Sequence, residues 1–204
     1  MTEVERPFAT AAKEAPWSAD WLHFCRFLAN PIKVASVAPA SETLGRLIGA
    51  LVHRKHGELV VELGAGTGVV TRAILAADLP ADALIAVELD GQLANFLRTS
   101  LPGLAVVEGD AFDLVRILPP HVRGKIDTIV CGIPIVLLPF ERQRQFIAAA
   151  LSLMSAGGRL LVFSYWLTSP LPAARLGLVC KKRVFTLRNF PPASVWIYEQ
   201  AGSG

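Results

Sequence analysis

The sequence lacks any run of about 18 or more apolar residues, the length that a membrane-spanning helix requires, although 52% of its 204 residues are hydrophobic. Cysteines are few: Cys25, Cys131 and Cys180 lie far apart in apolar segments, which favours buried free thiols. The four histidines are scattered without a metal-ligand spacing, so we predict no metal site. Residues 1–16 contain acids and no apolar signal core, and we expect them to form a flexible tail.

Acidic residues are scarce in the second part of the chain. Residues 120–204 contain ten Lys or Arg against three Asp or Glu, whereas residues 1–119 contain ten against fourteen. The run Lys181-Lys182-Arg183 lies in the basic part. Such a face suits a partner that carries phosphate groups, either lipid head groups or nucleic acid, and an ordinary solvated surface is the alternative.

An amphipathic helix is predicted over residues 17–28, and Asn30-Pro31 ends it because proline disfavours a helical residue before it. Its apolar stripe, at helical spacing, consists of Trp17, Trp21, Phe24 and Leu28. Tryptophans suit the depth of a membrane interface. We therefore expect residues 17–56 to form a helical lid that contacts an anionic membrane surface; a helix packed on the protein core is the alternative.

Apolar strands alternate with helices from residue 57 onward. Strands are predicted at 58–64, 83–89, 104–110, 126–134 and 158–166. Helices are predicted at 42–54 with Ser41 as its N-cap, at 69–77, after the cap Asp90 as far as Leu101, at 112–118, and at 140–154 before Gly157-Gly158. This alternation indicates a doubly wound α/β fold around a mostly parallel sheet.

The last two extended stretches, 179–187 and 194–199, have no helix between them. They are therefore expected to pair as a hairpin, which places an antiparallel strand at the edge of the sheet. The complete prediction is a seven-stranded Rossmann-like sheet in residues 57–204, preceded by N-terminal helices.

The strongest functional signal is the segment Glu62-Leu63-Gly64-Ala65-Gly66-Thr67-Gly68, which joins the first strand to a helix. Ligands of open α/β sheets bind at the carboxyl ends of strands, and glycines let backbone amides approach them without a Cβ clash. The spacing G-x-G-x-G differs from the dinucleotide fingerprint G-x-G-x-x-G. Together with Glu62, this difference argues against a pyrophosphate cradle.

Two further acids end neighbouring strands. Glu88, followed by Leu89, comes about twenty residues after the glycine loop, where a carboxylate accepts hydrogen bonds from both ribose hydroxyls. Asp110 and Ala111 follow the third strand, where a carboxylate can accept an adenine amine while alanine leaves room for the ring. A surface charge and an acid placed for turn geometry are the alternatives.

These residues together resemble the pattern of the class I S-adenosylmethionine-dependent methyltransferases, over most of residues 57–200. The resemblance implies S-adenosylmethionine as the cofactor, with Glu62 near its methionine end, Glu88 at the ribose and Asp110 at the adenine. The implied cofactor-binding set is Glu62, Gly64, Ala65, Gly66, Gly68, Glu88, Leu89, Asp110, Ala111 and Cys131.

The loop Cys131-Gly132-Ile133-Pro134 ends the fourth strand, where the resemblance places the transferred methyl group. Nucleic-acid amino methyltransferases carry an N-P-P-Y or N-L-P-Y type motif there. This chain has neither the leading Asn nor the closing Tyr, so a nucleic-acid substrate is disfavoured. Backbone carbonyls near Gly132 and Ile133 are candidates for orienting an amine.

The segment Phe27-Leu28-Ala29-Asn30-Pro31, the stretch Val34–Ser41 and the loop C-G-I-P resemble the bacterial phospholipid N-methyltransferases. Ala40 and Cys131 stand where serines are expected. The resemblance implies stepwise methylation of phosphatidylethanolamine toward phosphatidylcholine by a cytoplasmic enzyme on the inner face of the membrane. The implied substrate contacts are Gly132, Ile133, Pro134, Asn30 and Ser41.

The group that removes the proton from the acceptor amine is not evident from the sequence. Tyr165 and His23 are the candidates, although a core tyrosine and a surface histidine explain them equally, and water is a third acceptor. An enzyme like the ribosomal RNA adenine dimethyltransferases, a small-molecule methyltransferase and a non-catalytic membrane-binding protein with a cofactor fold remain alternatives. The sequence leaves the oligomeric state open.

Overall fold

The computed structural model of the protein describes residues 40–165, 168–189 and 191–202, which belong to a unit spanning Ala40–Gly204. The predictions on the preceding residues, including the tail 1–16, lie outside this described part. They concern the helix 17–28 with Trp17, Trp21, His23, Phe24, Leu28 and Asn30. The predicted division of the chain at residue 57 stays a prediction.

Seven strands form one sheet in the described part of the chain. They are β1 (Leu59–Leu63), β2 (Leu84–Glu88), β3 (Ala105–Glu108), β4 (Ile126–Cys131), β5 (Met154–Ser164), β6 (Leu178–Thr186) and β7 (Ala193–Gln200). Their spatial order is β3-β2-β1-β4-β5-β7-β6. Strands β1 to β5 are parallel, and β7 runs antiparallel to both β5 and β6. The predicted mostly parallel α/β sheet with antiparallel pairing at one edge is confirmed.

Five helices connect or flank these strands in the described residues. They are α1 (Glu42–Leu51), α2 (Val69–Leu75), α3 (Gly91–Ser100), α4 (Leu114–Ile117) and α5 (Phe140–Leu153). Two predicted N-caps are confirmed: the Ser41 hydroxyl accepts from the Leu44 N–H at 3.2 Å, and the Asp90 carboxylate accepts from the first turn of α3. Each cap satisfies backbone donors that the helix leaves open.

The predicted helix stop at Gly157-Gly158 is wrong. Helix α5 ends at Leu153, because Met154 already has an extended backbone and pairs with Ile126 of β4. Both glycines lie inside β5, where Gly157 has a φ of 74° close to a shift in the β4–β5 register. Glycine in a strand marks such an irregularity as readily as it marks the end of a helix.

Both faces of the sheet are buried, which is why its central strands are continuously apolar. Val61 and Leu63 face a core that contains Phe146 of α5. Val60 faces the opposite core, together with Leu44 and Ile48 of α1. The helices on both faces hold β1 in the middle of the sheet, directly before the glycine loop.

Helix α1 packs closely against α2 through two glycines. A Cβ atom on Gly49 would lie 2.5 Å from the carbonyl oxygen of Ala73, and one on Gly45 would lie 3.2 Å from that of Val69. Because α2 begins at Val69, directly after the glycine loop, this contact fixes the position of the helix that follows the loop.

A second anchor joins the segment after α1 to the amino end of β4. Nδ1 of His53 lies 3.1 Å from the buried Asp127 carboxylate, and Nζ of Lys55 lies 3.5 Å from the other carboxylate oxygen. Pairing satisfies a carboxylate that burial without a partner would penalise.

We predict that Gly49→Leu lowers the free energy of unfolding by about 2–3 kcal/mol, because the new side chain must push α1 away from the α2 backbone. The matched control is Ala50→Leu, which places the same side chain on the exposed face of α1, and we expect it to change stability by less than about 0.5 kcal/mol. Urea unfolding followed by circular dichroism measures both. Equal stability of the two variants contradicts the close helix contact.

Candidate active site

The glycine loop turns sharply between β1 and α2. Gly64, Gly66 and Gly68 have φ values of 73°, 57° and 82°, a region that other residues rarely adopt. The Gly64 N–H donates to the carbonyl of Val87 at 2.9 Å, which ties the loop to β2. A Cβ on Gly66 would meet nothing within 4 Å, so this glycine is required by its backbone conformation and not by lack of space.

Glu88 holds the glycine loop at the carboxyl end of β2. Its Oε2 accepts from the Gly66 N–H at 2.7 Å, and its Oε1 accepts from the Asp90 N–H at 3.0 Å. The residue is 8% exposed. A buried carboxylate with two backbone donors is a strong, directional acceptor at this edge of the sheet.

Glu62 is a buried acid on the α2 side of β1, and it is 2% exposed. Burial raises the pKa of Glu62 to about 8, and the Glu88 charge contributes to the rise while Thr71 of α2 opposes it. Among the described residues, Oε2 of Glu62 has no hydrogen-bond partner. A buried acceptor of this kind is costly unless a donor satisfies it, and an ammonium group would do so.

Asp110 follows β3 and caps a short 3₁₀ turn over Ala111–Asp113. Its Oδ1 accepts from the Phe112 N–H at 2.9 Å. Burial raises the pKa of Asp110, and Asp113 adds to the rise, whereas the neighbouring Arg142 and Arg116 oppose it. Its second carboxylate oxygen is not needed for the cap, so it can accept a further hydrogen bond.

The acceptor loop, residues 131–134, packs directly against the glycine loop. The Gly132 N–H donates to the Leu63 carbonyl at 2.8 Å, and a Cβ on Gly132 would lie 2.8 Å from that same oxygen. A Cβ on Gly64 would lie 3.0 Å from the Ile133 side chain. Only glycines at both positions allow the two loops to meet this closely.

Cys131 lies at the end of β4 below this contact. Its Sγ is 3.6 Å from the Ile133 carbonyl, and burial raises the pKa of the thiol to about 12. The thiol therefore stays protonated at neutral pH and is not a nucleophile.

The remaining residues predicted to contact the substrate or to act as the base lie on separate segments of the chain. Pro134 begins a 3₁₀ turn over Ile135–Leu137, and Tyr165 follows β5, where partial burial raises its pKa. The Ser41 hydroxyl donates to the Asn189 carboxamide as well as capping α1. His23 and Asn30 lie outside the described residues.

Two buried amides near the site were missed by the sequence analysis. Asn189, 3% exposed, joins the turn after β6 to Ser41. Gln143, 6% exposed, donates to the Leu138 carbonyl at 2.9 Å and so holds the chain after the acceptor loop to α5. Neither residue belongs to a recognisable motif, and the contact between Asn189 and Ser41 joins positions far apart in the sequence.

These residues fit S-adenosylmethionine, which combines an ammonium group, a ribose and an adenine. The open acceptor of Glu62 and the carboxylates of Glu88 and Asp110 lie at the carboxyl ends of three adjacent strands. No group of three His, Cys, Asp or Glu in the described residues could hold a metal ion. None of the helices in that part of the chain is long and apolar enough to cross a membrane.

Solved structures reproduce the fold. The 1,6-didemethyltoxoflavin N1-methyltransferase of Burkholderia thailandensis, with bound substrate and S-adenosylhomocysteine, matches with a TM-score of 0.66 at 15% identity. The match covers 95% of this chain and 93% of that one. No protein-family model matches the chain.

Sequence comparison finds two curated relatives. A 70-residue segment is 43% identical to the ribosomal RNA small subunit methyltransferase A of Geobacter sulfurreducens, covering 33% of this chain and 24% of the relative. The ornithine lipid N-methyltransferase of Singulisphaera acidiphila is 33% identical over 141 residues, covering 68% of this chain and 73% of the relative. The chain therefore belongs to the class I S-adenosylmethionine-dependent methyltransferases, in the same family as this ornithine lipid N-methyltransferase.

Proposed function

We propose that this S-adenosylmethionine-dependent N-methyltransferase methylates the amine head group of a phospholipid, converting phosphatidylethanolamine stepwise toward phosphatidylcholine. The observation that carries the proposal is the 33% identity to an enzyme named for N-methylation of a lipid. We place the reaction at the inner face of the membrane, with the predicted helix 17–28 as one contact with the lipid surface.

The cofactor roles follow the order of the strands. Glu62 accepts from the ammonium group at the methionine end, Glu88 from the ribose hydroxyls and Asp110 from the adenine amine. The turn of the glycine loop lets the cofactor approach the backbone closely. S-adenosylmethionine supplies an electrophilic methyl group on its sulfonium, and the acids stabilise a ligand that carries positive charge.

The acceptor loop positions the amine next to the cofactor loop. A Cβ on Gly64 would lie 3.5 Å from the carbonyl carbon of Gly132, so the Gly132 carbonyl lies close to the place where β1 ends. We assign to this carbonyl a hydrogen bond from the amine, whereas the predicted Ile133 carbonyl already accepts from the Ile135 N–H at 2.8 Å. Holding two reactants in line in this way contributes several kcal/mol to the lowering of the barrier.

The amine must lose a proton before it attacks, since an ammonium group has no lone pair. Burial raises the pKa of Tyr165 and of the Cys131 thiol, which disfavours either group as the base. We assign to Tyr165 the positioning of the amine through its phenol oxygen. We propose that the proton leaves to water. The assignment of His23 as the base stays a prediction, since this residue lies outside the described part of the chain.

Methylation of a ribosomal RNA adenine is the second candidate. The 43% identity over 70 residues to a ribosomal RNA methyltransferase favours it. The acceptor loop argues against it, because C-G-I-P lacks the Asn and the Tyr of the nucleic-acid amino methyltransferase motif.

The lipid assignment is tested by incubating the protein with radiolabelled S-adenosylmethionine and one acceptor at a time: phosphatidylethanolamine vesicles, ornithine lipid vesicles or ribosomal RNA. We expect label in phosphatidylethanolamine, with mono-, di- and trimethylated products separated by chromatography. Label confined to the RNA overturns the lipid assignment. Label confined to ornithine lipid shows that the acceptor is the amine of ornithine lipid and not that of phosphatidylethanolamine.

We predict that Glu88→Ala weakens the binding of S-adenosylhomocysteine by about 1–3 kcal/mol, because charge-assisted hydrogen bonds to the ribose are lost. The matched control is Glu108→Ala, at the position that pairs with Glu88 in the neighbouring strand but is exposed. Isothermal titration calorimetry measures both variants. Unchanged affinity of Glu88→Ala removes this residue from the ribose site.

We predict that cofactor affinity rises with pH up to about 8, where the carboxyl of Glu62 loses its proton. An ammonium ligand binds the ionised acid, so between about pH 6 and about pH 7.5 the affinity increases up to about tenfold per pH unit. Glu62→Gln removes this dependence, whereas Glu108→Gln, which is exposed, retains it. Calorimetry with S-adenosylhomocysteine across this range provides the readout, and a slope that persists in Glu62→Gln contradicts the role.

A further inference from the structure

The outer strand of the sheet is strongly basic. Between Glu141 and Glu199 the sequence has eight Lys or Arg and no acidic residue. Four of these cations lie on β6 and the turn that follows it: Lys181, Lys182, Arg183 and Arg188. All four are exposed. Within the described ranges, strand β6 pairs with β7 alone, so its other side is an open edge of the sheet in that part of the chain.

Exposed apolar side chains lie among these cations. Leu187 is 76% exposed and Phe185 is 43% exposed. We call the four cations and these two apolar residues the basic edge. A surface that combines cations with large exposed apolar side chains marks a contact with another molecule.

Two of the four cations have side-chain contacts within the protein. Nζ of Lys181 lies 3.5 Å from the Glu199 carboxylate. The Arg183 guanidinium stacks 4.8 Å above the Trp196 ring and donates to the Ser194 hydroxyl. Lys182 and Arg188 form no ion pair with any of the described residues. Together with Arg183, whose partners are neutral, they leave the basic edge positively charged.

The basic edge reaches the end of the sheet that carries the active site. Because β6 runs parallel to β1 and its neighbours, Thr186 and the turn after it lie at their carboxyl ends. Phe185 pairs with Ser194, which pairs in turn with Ser164 at the end of β5. The hydrogen bond between Asn189 and Ser41 holds this turn against the start of α1.

We propose that the basic edge docks on an anionic lipid bilayer, with Lys182 and Arg188 at the head groups and Leu187 inserted among the acyl chains. The proposal rests on the proposed function, since docking there brings the active-site end of the sheet to the lipid amine. Cations attract an anionic leaflet, and an apolar tip gains free energy by leaving water.

Two other occupants fit the basic edge less well. The phosphate backbone of a nucleic acid would pair with the cations but would leave Leu187 in water. A second copy of the chain, added strand to strand along β6, would place like charges opposite each other, which is how lysines on edge strands prevent such pairing.

The test compares the double variant Lys182→Gln/Arg188→Gln with Arg123→Gln/Lys125→Gln, which removes the same charge from exposed positions before the amino end of β4. Each full-length protein is sedimented with vesicles of phosphatidylcholine alone or of equal parts phosphatidylcholine and phosphatidylglycerol. A cation near an anionic surface contributes about fivefold in binding, so we expect about a 25-fold loss for the first variant on anionic vesicles and a much smaller loss for the second.

Leu187→Ser tests the apolar contact without changing the charge. We expect weaker binding to anionic vesicles, and a larger fraction of the remaining binding should be lost at high salt. Calorimetry with S-adenosylhomocysteine should give wild-type affinity for all these variants, which shows that the cofactor site is folded.

The outcomes separate this proposal from the proposed function. Wild-type vesicle binding by both Lys182→Gln/Arg188→Gln and Leu187→Ser overturns docking, even if the protein methylates lipid. Loss of binding in these variants supports docking, even if the wild type transfers no label to any lipid and the proposed function fails. The proposal is also overturned if Lys182→Gln/Arg188→Gln loses binding to RNA but keeps its binding to vesicles. It is likewise overturned if analytical ultracentrifugation shows that the wild type is a dimer and that this double variant is a monomer.

Discussion

A single carboxylate holds the active-site end of the sheet together. Glu88 accepts from the Gly66 N–H and from the Asp90 N–H, so it joins the glycine loop to the segment that opens α3. Two further contacts hold the glycine loop: α1 packs on α2 through Gly49, and Gly132 of the acceptor loop contacts the backbone of Leu63. Cofactor and acceptor segments are thereby fixed relative to one another before either ligand binds, and such preorganisation lowers the cost of bringing two reactants into line.

The acidic and basic parts of the sequence lie in different parts of the sheet. The acids of the first part include Glu62, Glu88 and Asp110, which gather at the carboxyl ends of adjacent strands and suit a cofactor with positive charge. The cations of the second part include Lys182 on the outer strand and Arg188 in the turn after it, both exposed. The three acids and these two cations thus belong to different strands and turns of one sheet.

Most of the fold follows from local patterns in the sequence. Continuous apolar strands predict the parallel sheet, and the side chains of Ser41 and Asp90 predict helix starts, because capping acts within one turn. The grouping of Glu62 with the glycine loop is likewise local. The contacts of His53 with Asp127 and of Asn189 with Ser41 join distant segments that no periodicity connects. A glycine pair has two meanings, a helix stop or a strand irregularity, and only pairing with β4 decides between them.

The position of β7 has a consequence for the order of folding. This strand is the last of the seven along the chain, yet it lies between β5 and β6 and is paired on both sides. During synthesis β6 emerges before it has any partner, so the sheet cannot close until Ala193–Gln200 has left the ribosome. Non-local pairing of this kind is slow, and the unpaired edges of β5 and β6 are prone to aggregation until β7 pairs with them. Loss of these few residues would deprive β6 of its place in the fold and leave the far side of β5 unprotected.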